Sequence, residues 1–174
     1  MPEQSKQYFN LGIIAAVAQN YEIGYQNELL CRIKEDLEYF KKVTMDSYII
    51  MGRNTYESMP KNISRRNYII LSRDEKFNLA APKIVHHNFE ETLAFVSQET
   101  QSAFWVIGGG IIYNNFLPYV DKMHITEIFK EYPNADIFFP EFNKEEWQEN
   151  VEEVQYCPES KVNYRHVLYL RKND

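Results

Sequence analysis

At two places in this chain an apolar, strand-like run passes straight into glycine and then into a helix-like run. These are Ile49-Ile50-Met51-Gly52-Arg53-Asn54-Thr55 and Trp105-Val106-Ile107-Gly108-Gly109-Gly110. Glycine at such a junction lets the backbone approach a ligand with no Cβ in the way. The helix behind it aims unpaired N–H groups and a partial positive charge at an anion. Two such sockets suggest a ligand with a diphosphate bridge. The second run departs from the G-x-G-x-x-G fingerprint, because Tyr113 stands where the third glycine would fall. A dinucleotide is therefore expected, on an α/β scaffold other than the Rossmann fold.

The rest of the chain fits such a scaffold. Continuous apolar runs predict strands at Leu11 to Ala18, Tyr48 to Met51, Asn67 to Ser72, Lys83 to His86, Ala103 to Ile107 and Lys122 to Ile128. Helices are predicted at Lys34 to Thr44, Thr55 to Met59, Phe89 to Ser97 and Gly110 to Leu117, the last closed by Pro118. Strands alternating with helices, and apolar on both faces, predict a mostly parallel sheet covered on both sides. Near the C-terminus, Gln148 to Tyr156 and Tyr164 to Arg171 flank a Cys-Pro-Glu-Ser turn and read as an antiparallel hairpin, which makes the sheet mixed at that edge. The fold expected is a single α/β domain over residues 10–174, after a polar extension at 1–9, with about eight strands and about four helices.

Composition narrows the partner. With 174 residues the chain suits one core, and a net charge of −6 without a Lys/Arg block argues against nucleic acid or an anionic membrane. Any anion must then be held by local cations inside a pocket. The 13 Tyr and 11 Phe are accordingly expected in the core rather than as base-stacking platforms. Cys31 and Cys157 are too far apart, and too isolated from other ligands, to indicate a disulfide framework or a zinc site. His86-His87 likewise lacks partners at metal-ligand spacing, and no metal is expected. The polar start from Met1 to Gln7 has no signal-peptide core, and no stretch is apolar enough to span a bilayer. A cytoplasmic, monomeric enzyme with a small-molecule substrate is the expectation.

The helix beginning at Lys34 carries the second informative feature. At roughly 100° per residue, Ile33, Leu37, Phe40 and Val43 share one face and Asp36 falls inside that arc, while Glu35 and Glu38 lie on the solvent side with Lys34 and Lys42. An acid in the first turn favours the helix dipole, which explains its position but not its inward direction. An inward carboxylate can accept two parallel hydrogen bonds from a flat, amidine-like ligand edge. Cations supply the complement. Arg53 follows the first glycine and Ser72-Arg73 follow the strand ending at Leu71, where α/β proteins bind ligands and where a ribose 2′-phosphate would fit. An NAD site would place an acid there, and Asp74 is the candidate; two arginines favour NADPH. Arg65 and Arg66 form another pair, either of which could grip a carboxylate.

With these residues assembled, the chain resembles bacterial dihydrofolate reductases from about Ile13 to Pro140, with the C-terminal hairpin agreeing in kind. The matching runs are Ile14-Ala15-Ala16-Val17, Ile23-Gly24, Asp36-Leu37 with Phe40-Lys41, Ile50-Met51-Gly52-Arg53 with Thr55 and Glu57-Ser58, and Ile69-Ile70-Leu71-Ser72-Arg73. Val106-Ile107-Gly108-Gly109-Gly110 with Tyr113, then Ile125-Thr126, then Asp136 with Phe138 to Pro140 complete the series. The resemblance implies reduction of 7,8-dihydrofolate to 5,6,7,8-tetrahydrofolate, with hydride passing from NADPH to pterin C6 and a proton to N5. It implies Asp36 as the pterin-binding carboxylate backed by the Thr126 hydroxyl. Ile14, Phe40, Met59, Ile63 and Ile107 would line the substrate slot. Arg66, six residues before Ser72, would hold the glutamate carboxylate in preference to Arg65. It further implies Ala16 and Ile23 around the nicotinamide. Gly52, Arg53, Asn54, Thr55, Leu71, Ser72, Arg73 and the segment of Ile107, Gly108, Gly109, Gly110, Ile112 and Tyr113 would surround the rest of the cofactor. A water admitted by movement of the Gly24 to Leu30 loop would deliver the proton.

The chain departs from the family pattern at Cys31, where tryptophan is common, at Ile33-Lys34, where proline often precedes the acid, and at Asn54, where a basic residue is frequent. Cys31 reads as a small filler rather than a nucleophile, since nothing near it in sequence would activate a thiol. Two other functions remain open on residues alone: a reductase of the same fold acting on a different pterin or pyrimidine, and a catalytically silent dinucleotide-binding module. The Arg66 grip separates the first from dihydrofolate reduction, and turnover separates the second.

Overall fold

Short apolar runs that are buried on both faces can pair side by side without alternation, and six of them among the described residues do so. In the computed structural model, which describes residues 8–60 and 63–172, they form the parallel part of one large sheet. The strands are β1 (Tyr8–Ala18), β4 (Tyr48–Gly52), β5 (Asn67–Leu71), β6 (Ile84–His86), β7 (Phe104–Gly108) and β8 (Val120–Ile128). They lie in the order β6-β5-β4-β7-β1-β8. The sheet continues antiparallel through β12 (Val162–Arg171) to β10 (Trp147–Val151), and β11 (Gln155–Cys157) also pairs with β12. This is the expected single α/β domain with a mixed sheet and an antiparallel C-terminal edge. The first arm of the hairpin is not one strand, however. It breaks between Val151 and Gln155, so β10 and β11 pair with different parts of β12.

Among the described residues four α-helices accompany the sheet: α1 (Lys34–Val43), α2 (Arg53–Ser58), α3 (Phe89–Gln98) and α4 (Gly110–Phe116). The glycine before α2 and the glycine before α4 are the N-caps, and neither helix has a side-chain cap. Helix α2 thus starts at Arg53, two residues before the expected Thr55. Pro118 lies inside a 3-10 turn, Leu117–Tyr119, that continues α4. β1 starts at Tyr8, so residues 8 and 9, expected in a polar extension, are part of the sheet; residues 1–7 lie outside the described residues.

A second, three-stranded sheet was not anticipated. It joins β2 (Glu22–Tyr25), β3 (Glu28–Leu29) and β9 (Ile137–Phe138) in the order β3-β2-β9. Strands this short have no readable alternation. The turn between β2 and β3 places Gln26 and Asn27 at φ 49° and 63°, the left-handed geometry of a tight hairpin. The Asp136 carboxylate accepts from the Gln26 backbone N–H at 3.2 Å, and buried Glu22 accepts from that of Tyr132. The segment expected as a loop from Gly24 to Leu30 is therefore largely a hairpin, and β2 is tied to the 132–138 segment that ends in β9.

Candidate active site

All six parallel strands point the same way, so their C-terminal ends gather along one edge, with β1 between β7 and β8 at the centre. Register determines which side chains meet there. Ala16 of β1 pairs with Thr126 of β8, and Thr126 pairs with His166 of β12. Residues on one rung point to the same face, and α1 lies over that face. The Thr126 hydroxyl donates a short hydrogen bond to Asp36 Oδ1, and His166 Nε2 lies 3.2 Å from the same oxygen. Asp36 is thereby drawn inward, with its side chain 20% exposed, while Glu35 and Glu38 face solvent. Both contacts fall on Oδ1. Among the described residues no hydrogen bond is made to Oδ2, which leaves it for a ligand.

One helical turn later, Tyr39 repeats the pattern. Its ring stacks on His166 with centroids 4.1 Å apart, and its hydroxyl meets His124 Nδ1 at 2.6 Å. Burial pushes the Tyr39 phenol up, so it keeps its proton. Burial, helped by Lys122 and His166, pushes His124 down to about 4 against the pull of Glu152. The phenol is therefore the donor and neutral His124 the acceptor.

The two glycine junctions adjoin. Met51 of β4 pairs with Gly108 of β7, a Cβ on Gly52 would come within 3.2 Å of the Ile112 side chain, and a Cβ on Gly109 would lie 3.6 Å from Thr55 Oγ1. Gly108 has φ +125°, which only glycine adopts readily, and a Cβ on Gly110 would sit 2.7 Å from the Phe138 carbonyl oxygen. The Gly108–Gly109 peptide is cis. Two glycine N-caps without side-chain caps thus lie side by side at the strand ends, where a helix N-terminus can receive an anion, and Arg53, Ser72 and Arg73 follow the ends of β4 and β5.

The dihydrofolate reductase family model matches residues 10–171. The chain belongs to the dihydrofolate reductase family. It is 36% identical to dihydrofolate reductase of Staphylococcus haemolyticus over 82% of this chain and 83% of that protein. It is 32% identical to the Haemophilus influenzae enzyme over 92% and 98%, and 30% identical to that of Bacillus subtilis over 94% and 95%. The chain is accordingly an oxidoreductase of that family. No helix among the described residues is long and apolar enough to cross a membrane.

The remaining predicted residues fall into distinct places. Ile14 is buried in β1, while Ala16, Ile23, Phe40, Met59, Ile63, Ile107 and Ile112 are half-buried. Met59 and Ile107 pack against the cluster of Ile49, Met51, Tyr56, Tyr68 and Ile70. Arg66 sits at the far end of α1 from Asp36, donating to the Lys41 carbonyl, the Thr44 hydroxyl at 3.1 Å and the Ser64 carbonyl at 2.7 Å. Arg65 instead forms an exposed pair with Asp46. Arg53 bonds Glu57 and Asp74 and lies over the Phe77 ring, whereas Asn54 and Arg73 are exposed. Ser72 and Leu71 are buried at the end of β5. Tyr113 is turned into the core, and its hydroxyl donates to the Ile14 carbonyl at 2.8 Å, which ties α4 to β1. His86 and His87 meet Thr92 Oγ1 and the Ser72 carbonyl. Burial pushes the Cys31 thiol up, consistent with an inert filler packed beside Tyr132.

The sequence reading missed His166, His124 and Tyr39. Tyr39 is three residues beyond Asp36 and so shares its helix side, a signal that was available. The histidines were hidden because their position depends on the β8–β12 register.

Proposed function

We propose that this protein reduces 7,8-dihydrofolate to 5,6,7,8-tetrahydrofolate with NADPH as hydride donor. The observation that carries this reading is the inward Asp36 carboxylate, held on Oδ1 by Thr126 and open on Oδ2, at the strand ends beside the paired glycine sockets. Asp36 would accept the 2-amino and ring N–H edge of the pterin as two parallel, charge-assisted hydrogen bonds. Its negative charge favours the protonated, more electrophilic ring. Half-buried Ile107 and Phe40 and buried Ile14 would exclude water around the reacting carbon. Bound NADPH supplies the hydride, and holding the two reacting carbons about 3–3.5 Å apart makes the transfer effectively unimolecular. The proton for N5 is expected from water, which the β2–β3 hairpin could admit or exclude by moving.

Arg66 supports dihydrofolate over a tail-less pterin or pyrimidine. Three of the five N–H groups of a guanidinium are here engaged with Thr44, Ser64 and Lys41. One N–H on each terminal nitrogen remains for a carboxylate, and the protein bonds hold the plane fixed. The engagement of Asp74 by Arg53 and by the Lys76 backbone N–H supports NADPH, since that acid is already committed rather than free to accept from a ribose diol. A spectrophotometric assay tests both halves: NADPH should be oxidised only when dihydrofolate is added, and NADH should be much the poorer donor. Cofactor binding with no turnover on any pterin would instead indicate a silent binding module.

A further inference from the structure

His166 lies on the rung beside Thr126, its side chain only 11% exposed, yet it takes no part in the mechanism above. Its two ring nitrogens face two carboxylates: Nε2 is 3.2 Å from Asp36 Oδ1, and Nδ1 is 3.6 Å from Oε2 of Glu152, which is 61% exposed. Tyr39 stacks on one side of the ring and Tyr164 meets it edge-on at 5.8 Å. Behind it opens a surface groove of about 480 Å³ lined by Tyr39, His124, Glu149, Glu152 and Leu168 among others, through which solvent protons can reach Nδ1.

We propose that His166 is a positioning residue for Asp36. Its Nε2–H holds Oδ1 from the sheet side while Glu152 braces the ring from Nδ1, so that Oδ2 is turned toward the substrate. This inference rests on the dihydrofolate reading of the same site. Every titratable neighbour has a place in it. From α1 come Asp36 and Tyr39, from β8 His124, from β12 Tyr164, and from the segment after β10 Glu152, with Glu149 across the groove. Cys31 and Tyr113 sense Asp36 from its other sides, but burial pushes both up, so they remain neutral. His124, pushed down to about 4, is neutral as well and only accepts the Tyr39 proton. His166 is thus the side chain that links Asp36 to the exposed Glu152.

The substitutions separate hydrogen bond from charge. Glutamine can place a neutral N–H near the position of Nε2, whereas phenylalanine removes bond and charge but keeps the ring that Tyr39 stacks on. With saturating NADPH at pH 8, KM for dihydrofolate should rise about fivefold in His166→Phe and recover most of the way in His166→Gln. The acid-side fall in kcat/KM should move to higher pH in both variants, and by less in Glu152→Gln, whose exposed site will not threaten folding. Equal losses at every pH with no displacement would make His166 a structural filler and overturn the proposal, as would Gln behaving like Phe.

A second readout needs no turnover. In the ring NMR spectrum of the resting protein, Asp36→Asn should move the His166 titration to lower pH, and an unmoved titration contradicts the pairing. If that shift occurs in a protein that does not reduce dihydrofolate, the functional reading fails and the pairing stands.

Discussion

The two halves of the site are made of different material. Around Asp36 the work falls to side chains on three elements, α1, β8 and β12, and their meeting depends on the pairing of Thr126 with His166. Around Gly52 and Gly108–Gly110 it falls to backbone, N–H groups and the space that missing Cβ atoms leave, with exposed cations at the rim. The first half should tolerate backbone pressure but not a change of functional group. The second should do the reverse.

Gly110→Ala should have the largest structural effect. Its Cβ would sit 2.7 Å from the Phe138 carbonyl oxygen, which is backbone and cannot swing aside. Pushing α4 and β9 apart should cost roughly 1–3 kcal/mol, lower the melting temperature by several degrees, and weaken NADPH binding more than tenfold in a fluorescence titration. Unchanged binding would show that the glycine half does not depend on close approach.

Arg66→Leu comes next and, on the proposed role of Arg66, should act on the substrate alone. Losing a bidentate carboxylate grip should raise KM for dihydrofolate about 10–100-fold with kcat nearly preserved, whereas a pterin lacking the glutamate tail should be unaffected. Equal effects on both substrates would remove Arg66 from the binding site.

The smallest effect concerns stability. His124 stays neutral in the fold down to about pH 4, whereas in the unfolded chain it takes up its proton at about pH 6.5. Over that window protonation favours the unfolded state, so stability is fully present above about pH 6.5 and declines as pH falls toward 4. Urea unfolding at a series of pH values should show a shallower decline in His124→Asn than in the natural chain.

The same contrast explains what could be read in advance. Glycine junctions are local: Met51-Gly52-Arg53 and Ile107-Gly108-Gly109-Gly110 show their purpose in a few residues, and both fall at strand ends as expected. Asp36 was legible from helical periodicity, and the parallel core strands from their unbroken apolar runs. The 22–29 hairpin was not legible, because two- and four-residue strands carry no period, and its partner β9 lies more than 100 residues along the chain. His166 was hidden for a related reason. Its distance from Asp36 is 130 residues in sequence, and only the register of β12 on β8 brings the imidazole to the carboxylate. Tyr113 was legible as a neighbour of the glycine run, but its bond to the Ile14 carbonyl, 99 residues away in sequence, was not.

Steady-state kinetics of Asp36→Asn tests the central claim most directly. Asparagine keeps the shape and can still bond Thr126, but it lacks the charge that favours the protonated pterin. The account predicts a loss in kcat/KM for dihydrofolate of about 10²-fold or more, with NADPH affinity unchanged. A variant as fast as the natural chain would contradict it.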